Sequence, residues 1–170
     1  MATPIKSISL SNILSFGPGG EAFPLKPLNV FIGPNGSGKS NLLEAIGLLK
    51  ATPTDLARAV ARGGGVSEWL WKGQEVASVA RIEVVLDYPA GALPLRYALE
   101  FTEIGQRLEL VDEVLENAEL TEAGDDDVDF FYRYRRGRPV LKAKSVGDES
   151  GSIKRELKRE DLSMNQSVLA

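Results

Sequence analysis

The 170-residue sequence contains no cysteine and no histidine. The first absence excludes disulfides, thiolate metal sites and cysteine nucleophiles. The second removes imidazole acid–base chemistry and the commonest zinc ligand. Carboxylates, lysine, hydroxyls, amides or a bound ion must therefore carry any chemistry. A dominant charge is lacking too: 20 basic against 24 acidic residues leave a net −4, which does not favour coating nucleic acid by charge alone. No apolar run approaches the ~20 residues that span a bilayer, and the opening MATPIKSISLSN lacks the apolar core of a signal peptide. These absences predict a soluble cytoplasmic protein without membrane contact. Apolar residues at 43% and charged residues at 26% fit one globular domain with a real core.

What is present is concentrated near the front. Residues 5–10 (IKSISL) read as a strand, and residues 17–20 (GPGG) as a loop. Residues 27–32 (PLNVFI) read as a short strand buried on both faces, as in a parallel sheet. Beyond a glycine-rich loop, Leu42, Ile46 and Leu49, with Leu43 and Ala45, recur at helical spacing. Thr54 is a candidate N-cap for a second helix through Arg62, closed by Gly63-Gly64-Gly65. The middle changes character. Residues 81–87, 95–102, 107–115, 129–134 and 139–144 are strand-like with short breaks, which predicts an antiparallel meander. The expected organisation is one lobe: a P-loop core over 1–75, an antiparallel β subdomain over 76–145 and a connector over 146–170.

The glycine-rich loop is the most informative stretch. Gly33-Pro34-Asn35-Gly36-Ser37-Gly38-Lys39-Ser40 satisfies G-x-x-x-x-G-K-[ST] at every fixed position. Glycines let successive N–H groups turn inward as an anion nest, and the following helix adds free donors and its positive dipole end. Lys39 is suited to the β- and γ-phosphates, and Ser40 to Mg²⁺. The pattern predicts an ATP or GTP triphosphate with Mg²⁺.

The inner residues, followed by Asn41, resemble the Walker A loop of ABC-type ATPases, specifically the SMC/RecF-type branch. Residues 8–16 (ISLSNILSF) resemble the first strand and turn of that branch, and residues 42–46 its first helix. Residues 63–73 are similar to a segment of its AAA-type ATP-binding members. The resemblance implies an α/β P-loop NTPase lobe with a strand–P-loop–helix core and a β-meander. It also implies an ATP-driven, head-to-tail homodimer with ATP held between Walker A of one head and the signature loop of the other. No signature motif follows, no apolar strand is read as ending in Asp-Glu, and a switch histidine is excluded. The expected partner is therefore a C-terminal ATPase lobe, with little turnover from this chain alone. Asn165-Gln166-Ser167 resembles the glutamine loop, which makes Gln166 a candidate Mg²⁺ ligand.

Other features are open to two readings. Phe16 is either a core residue or a stacking partner for adenine. Tyr132-Arg133-Tyr134-Arg135-Arg136-Gly137-Arg138 is either a solvated hairpin or a DNA contact. Asp125-Asp126-Asp127 is a loop or, less naturally, a metal site. Trp69 and Trp71 are expected to anchor core or interface. Two alternatives stand beside the ATPase lobe. One is a complete small kinase or GTPase using Asp87, after Val84-Val85-Leu86, as its Walker B residue. The other is a nucleotide-binding interaction module without hydrolysis.

Overall fold

Ile8 and Leu10 alternate with serines in the first strand, and this period of two decides which face of the sheet is buried. The computed structural model describes residues 5–73, 79–88, 93–118, 130–135, 138–144, 152–156 and 167. Its strands are β1 (Ile5–Ser11), β2 (Ala22–Pro24), β3 (Ala80–Leu86), β4 (Leu95–Ile104), β5 (Arg107–Asn117), β6 (Phe130–Arg135), β7 (Arg138–Lys144) and β8 (Ser152–Glu156). They form one sheet in the order β2-β1-β3-β4-β5-β6-β7-β8, with every neighbouring pair antiparallel. The meander is as the sequence predicts. β1 pairs directly with β3, so the front strand and the meander share a single sheet. β8 adds a strand within the stretch read as a connector.

Three helices cover one face. In α1 (Lys39–Ala51), Leu42, Ala45 and Leu48 are buried while Leu43 faces solvent, because a helix on a sheet buries only one stripe. α2 (Leu56–Arg62) is capped by Asp55, whose side chain accepts from the Arg58 N–H at 2.9 Å. Thr54 does not take this role: its hydroxyl donates back to the Ala51 carbonyl at 3.1 Å and closes α1 instead. Gly63 ends α2 as expected, and α3 (Val66–Trp69) follows. Trp69 is buried on α3 and donates its indole N–H to the Val60 carbonyl at 3.2 Å. The helices pack on Ile8, Leu10, Ile82, Leu99 and Phe101 of the sheet. Each such side chain, fully buried, contributes about 1.5–3 kcal/mol.

The opposite face carries a ladder of charges. Arg81 bonds Glu83 and Glu100, Arg96 bonds Glu83 and Glu116, and Arg133 approaches Asp112 at 3.6 Å. Partial burial raises the Glu83 carboxyl, but hydrogen bonds and charge from Arg96 and Arg81 outweigh it and hold the group below its ordinary range.

One expectation is overturned. Residues 27–32 form no strand and are not buried: Leu28, Val30 and Ile32 are 80%, 77% and 89% exposed. Asn29 turns the chain back on Lys26, accepting from its N–H at 2.9 Å and donating to its carbonyl at 2.6 Å. A strand exists only where a neighbour supplies the complementary N–H and C=O groups. None of the eight strands runs beside this segment, so its β-propensity is unrealised, and the described residues contain no parallel pair.

Candidate nucleotide-binding site

The site begins at the end of β1, where the chain makes a tight turn. Ile13 and Phe16 exchange backbone hydrogen bonds at 3.0 and 2.8 Å, and Asn12 donates to Gly17 at 3.1 Å. Asn12 and Leu14 both adopt φ 52°. For a residue as bulky as leucine that left-handed conformation costs on the order of 1–3 kcal/mol. It is held from outside: Leu14 N–H donates to the Trp69 carbonyl at 2.7 Å, and Trp71 N–H to the Asn12 carbonyl at 3.1 Å. The segment after α2 thus fastens the turn. Trp71 also packs on Gly17, so the two tryptophans serve different contacts.

The turn abuts the glycine loop. Gly36 and Gly38 adopt φ 82° and 86°, the left-handed geometry that a side chain resists. A Cβ on Gly38 would lie 2.9 Å from the Ser15 hydroxyl and 3.4 Å from the Phe16 ring. Gly38 is thereby both turn and point of contact. Phe16 is half-buried, meets Phe23 edge-on at 6.1 Å between ring centroids, and presents its edge to Gly38. Ser15 is a neighbour of the loop that the sequence did not single out.

Gly38 is the N-cap of α1, and the first helical bond runs from Leu42 N–H to its carbonyl at 2.9 Å. The amides of Lys39, Ser40 and Asn41 therefore precede any intrahelical acceptor and stand at the positive end of the helix. The Lys39 ammonium folds over the loop, donating to the carbonyls of Gly33 at 2.8 Å and Pro34 at 2.7 Å and to the Ser37 hydroxyl at 3.3 Å. Residues 33–37 and Ser40 are exposed. Cation, free amides and the Ser40 hydroxyl lie on a surface that a phosphate chain can reach. The Ser40 hydroxyl fits Mg²⁺, which keeps several waters and is brought largely by the phosphates.

The other candidates are placed elsewhere. Asp87 follows an antiparallel strand and pairs with Lys6 at 3.5 Å. Its neighbour Leu86 is in register with Ile5, at the end of β1 remote from the turn. Six steps at ~3.4 Å separate the two ends of β1 by about 20 Å, so Asp87 is too distant to serve as a Walker B residue. Asp112-Glu113 does follow apolar residues, but mid-strand in β5, with the chain continuing through it. Tyr132 and Tyr134 point into the core, and Arg133 between them turns to Asp112 on the outer face. The interleaving is strand alternation, and these rings offer no platform for a base. Asp125-Asp126-Asp127 and Gln166 lie outside the described residues. Among the described residues, no group of three or more acidic residues is arranged to hold a metal, and no helix is long and apolar enough to cross a membrane.

Residues 28–161 match the family described as "AAA domain, putative AbiEii toxin, Type IV TA system". A DNA replication and repair protein RecF from Magnetococcus marinus is 58% identical over 48 residues, covering 28% of this chain and 10% of that protein. A chromosome partition protein Smc from Synechocystis sp. is 35% identical over 88 residues, covering 51% of this chain and 7% of that protein. The chain thus spans a tenth or less of these relatives. Its fold resembles a solved structure from work on ATP-driven dimerization and DNA-stimulated activation of SMC ATPases, with TM-score 0.51 and 21% identity over 70% of this chain and 73% of the other. With the family match extending over most of its length, the chain belongs to this AAA domain family, in the SMC/RecF-type branch of ABC ATPases whose N-terminal lobe it matches.

Proposed function

We propose that the chain binds Mg·ATP as the Walker A half of a composite ATPase site, and that hydrolysis requires a second lobe carrying the signature and Walker B residues. One juxtaposition carries this reading: the phosphate nest of residues 33–41 follows directly on an apolar stretch, residues 28–32, left in solvent. Leu28, Val30 and Ile32 cost solubility where they stand. Pairing with a strand from the second lobe would bury them and satisfy their backbone.

In this reading the amides of Gly36 and of Gly38 to Asn41 receive the phosphates, with Gly33, Pro34, Asn35 and Ser37 shaping the loop around them. Lys39 exchanges the Gly33 and Pro34 carbonyls for β- and γ-phosphate oxygens, a charge-assisted and stronger partnership. Ser40 would hold Mg²⁺, which would supply positive charge to offset that of the phosphates. Phe16, whose ring edge lies against Gly38, is proposed to stack on adenine. Gln166 is proposed as a further Mg²⁺ ligand. The head-to-tail homodimer is proposed for the two-lobe unit, since one lobe supplies only one of the two surfaces.

The test is calorimetry of ATP with Mg²⁺ on the 170-residue chain and on Lys39→Ala. The wild type should bind and the variant should lose most affinity. Equal affinity in both would overturn the reading.

A further inference from the structure

Thr52, Glu113 and Ser167 are the buried polar side chains of the described residues, at 2%, 0% and 1% exposure. All three meet at Tyr97. The Tyr97 hydroxyl donates to Glu113 Oε1 at 2.7 Å, and the Ser167 hydroxyl donates to the same oxygen. Thr52 lies beside the Tyr97 hydroxyl while donating its own proton to the Leu49 carbonyl at 2.7 Å. Burial, then the charge of Glu113, pushes the Tyr97 phenol upward, so it remains a donor throughout the physiological range. A carboxylate in a core is costly unless fully hydrogen-bonded, and an apolar residue would serve stability as well or better.

The backbone is bent to place Glu113 there. Along β4 and β5, Glu100 pairs with Asp112 but Phe101 with Leu110, leaving Val111 as an extra residue. Without this bulge, the alternation that buries Leu108 and Leu110 would turn Asp112 inward and Glu113 out. With it, Glu113 enters the core and Asp112 joins Arg133 on the outer face. The cluster joins elements distant in sequence. Thr52 is the C-cap of α1, whose other end is the phosphate loop, and Ser167 is 54 residues beyond Glu113.

We propose that Glu113 is a positioning residue, a buried latch that fastens the chain at Ser167 to the rear of the P-loop helix. Nucleotide held at the front of α1 is thereby coupled to Ser167 at the opposite end of the helix. This coupling rests on the ATP-binding reading above; the latch itself does not. Glu113 does not touch nucleotide, because the rise of α1 separates Ser40 from Thr52 by about 18 Å. It acts directly on Ser167 and, through the Tyr97 hydroxyl, on Thr52.

Hydrogen exchange followed by mass spectrometry on the 170-residue chain tests both parts. Without nucleotide, Ser167→Ala should speed exchange of the peptide over residues 160–170 by about tenfold, the loss of one buried hydrogen bond. The α1 peptide should be unchanged. Glu113→Gln, which keeps an acceptor oxygen, should lie between the two. With Mg·ATP, the wild-type peptide over 160–170 should slow further, and in Ser167→Ala it should not respond. Identical nucleotide-free exchange in wild type and Ser167→Ala would overturn the latch. ATP binding by calorimetry without any slowing in the wild-type peptide would overturn the coupling. Absence of ATP binding would overturn the reading the coupling rests on, while the nucleotide-free comparison still decides the latch.

Discussion

The Lys39 ammonium sits 2.8 Å from the Gly33 carbonyl oxygen, so the lysine spans the loop of which it is part. Its bonds are exposed, and removing them should cost the fold little. They mark where a phosphate oxygen would compete. Lys39→Ala should therefore abolish most ATP binding while leaving the melting temperature within a few degrees of wild type, as surface substitutions within about 0.5 kcal/mol do. Calorimetry and thermal denaturation on the same preparations check it. A variant that unfolds would show that Lys39 is structural.

Gly36 and Gly38 are both left-handed, but they should respond differently to alanine. At Gly36 an added Cβ meets nothing within 4 Å, whereas at Gly38 it lies 2.9 Å from the Ser15 hydroxyl. Gly36→Ala should cost about 1–2 kcal/mol from its backbone alone. Gly38→Ala should cost more, because the turn at residues 12–16 must also move. Urea denaturation of the two variants gives the comparison. Equal losses would mean that Ser15 yields freely.

The exposed stretch before the loop yields a prediction that separates folding from assembly. Val30→Asp and Ile32→Lys should change the stability of the 170-residue chain by no more than about 0.5 kcal/mol, since the wild-type side chains are in solvent. Binding to a C-terminal lobe, measured by titration of the separate chains, should fall by at least about tenfold. Unimpaired association would remove residues 28–32 from the interface.

Turnover should follow the same division. On the proposed reading the 170-residue chain should release phosphate no faster than background, because the loop would hold the phosphates while the second lobe would supply the group that orients water. A missing general base typically forfeits ~10²–10⁴-fold in rate. Adding the second lobe should restore hydrolysis and ATP-dependent dimerisation. Sustained release by the purified chain, absent in Lys39→Ala, would reveal a catalytic carboxylate within this lobe.

The charged ladder gives the pH dependence. Glu83 is held below its ordinary value of 4.5 in the folded chain, so its contribution is complete above that value and disappears as pH falls through the lower folded one. Glu83→Gln should cost on the order of 1 kcal/mol at pH 7 and nothing once the carboxyl is protonated. Urea denaturation at pH 7 and near pH 3 should show the difference closing. A constant difference would mean that the side chain acts by packing rather than charge.

Local pattern was enough for most elements. The loop at residues 33–40, the helix after it and the meander each follow from short-range rules: glycine for left-handed turns, a 3.6-residue apolar stripe, alternation in strands. The same rules single out Lys39 and Ser40 as candidates, because the chemistry proposed for them is tied to the loop by spacing alone. What they could not settle was pairing. Residues 27–32 carry the composition of a buried strand, yet remain exposed because no neighbour among the described residues completes their hydrogen bonds. Asp87 ends an apolar run, but the register of β3 on β1 puts it at the wrong end of the sheet. Tyr132 and Tyr134 became core residues only when β6 found its place beside β5. Glu113 is the sharpest case. Nothing in RLELVDEVL announces an extra residue at Val111, and a bulge of one position is what turns a carboxylate from solvent into the core. Sequence determined which segments can turn, coil or extend, since those depend on neighbours along the chain. Tertiary structure decided which faces are buried and which ends meet, since those depend on partners tens of residues away.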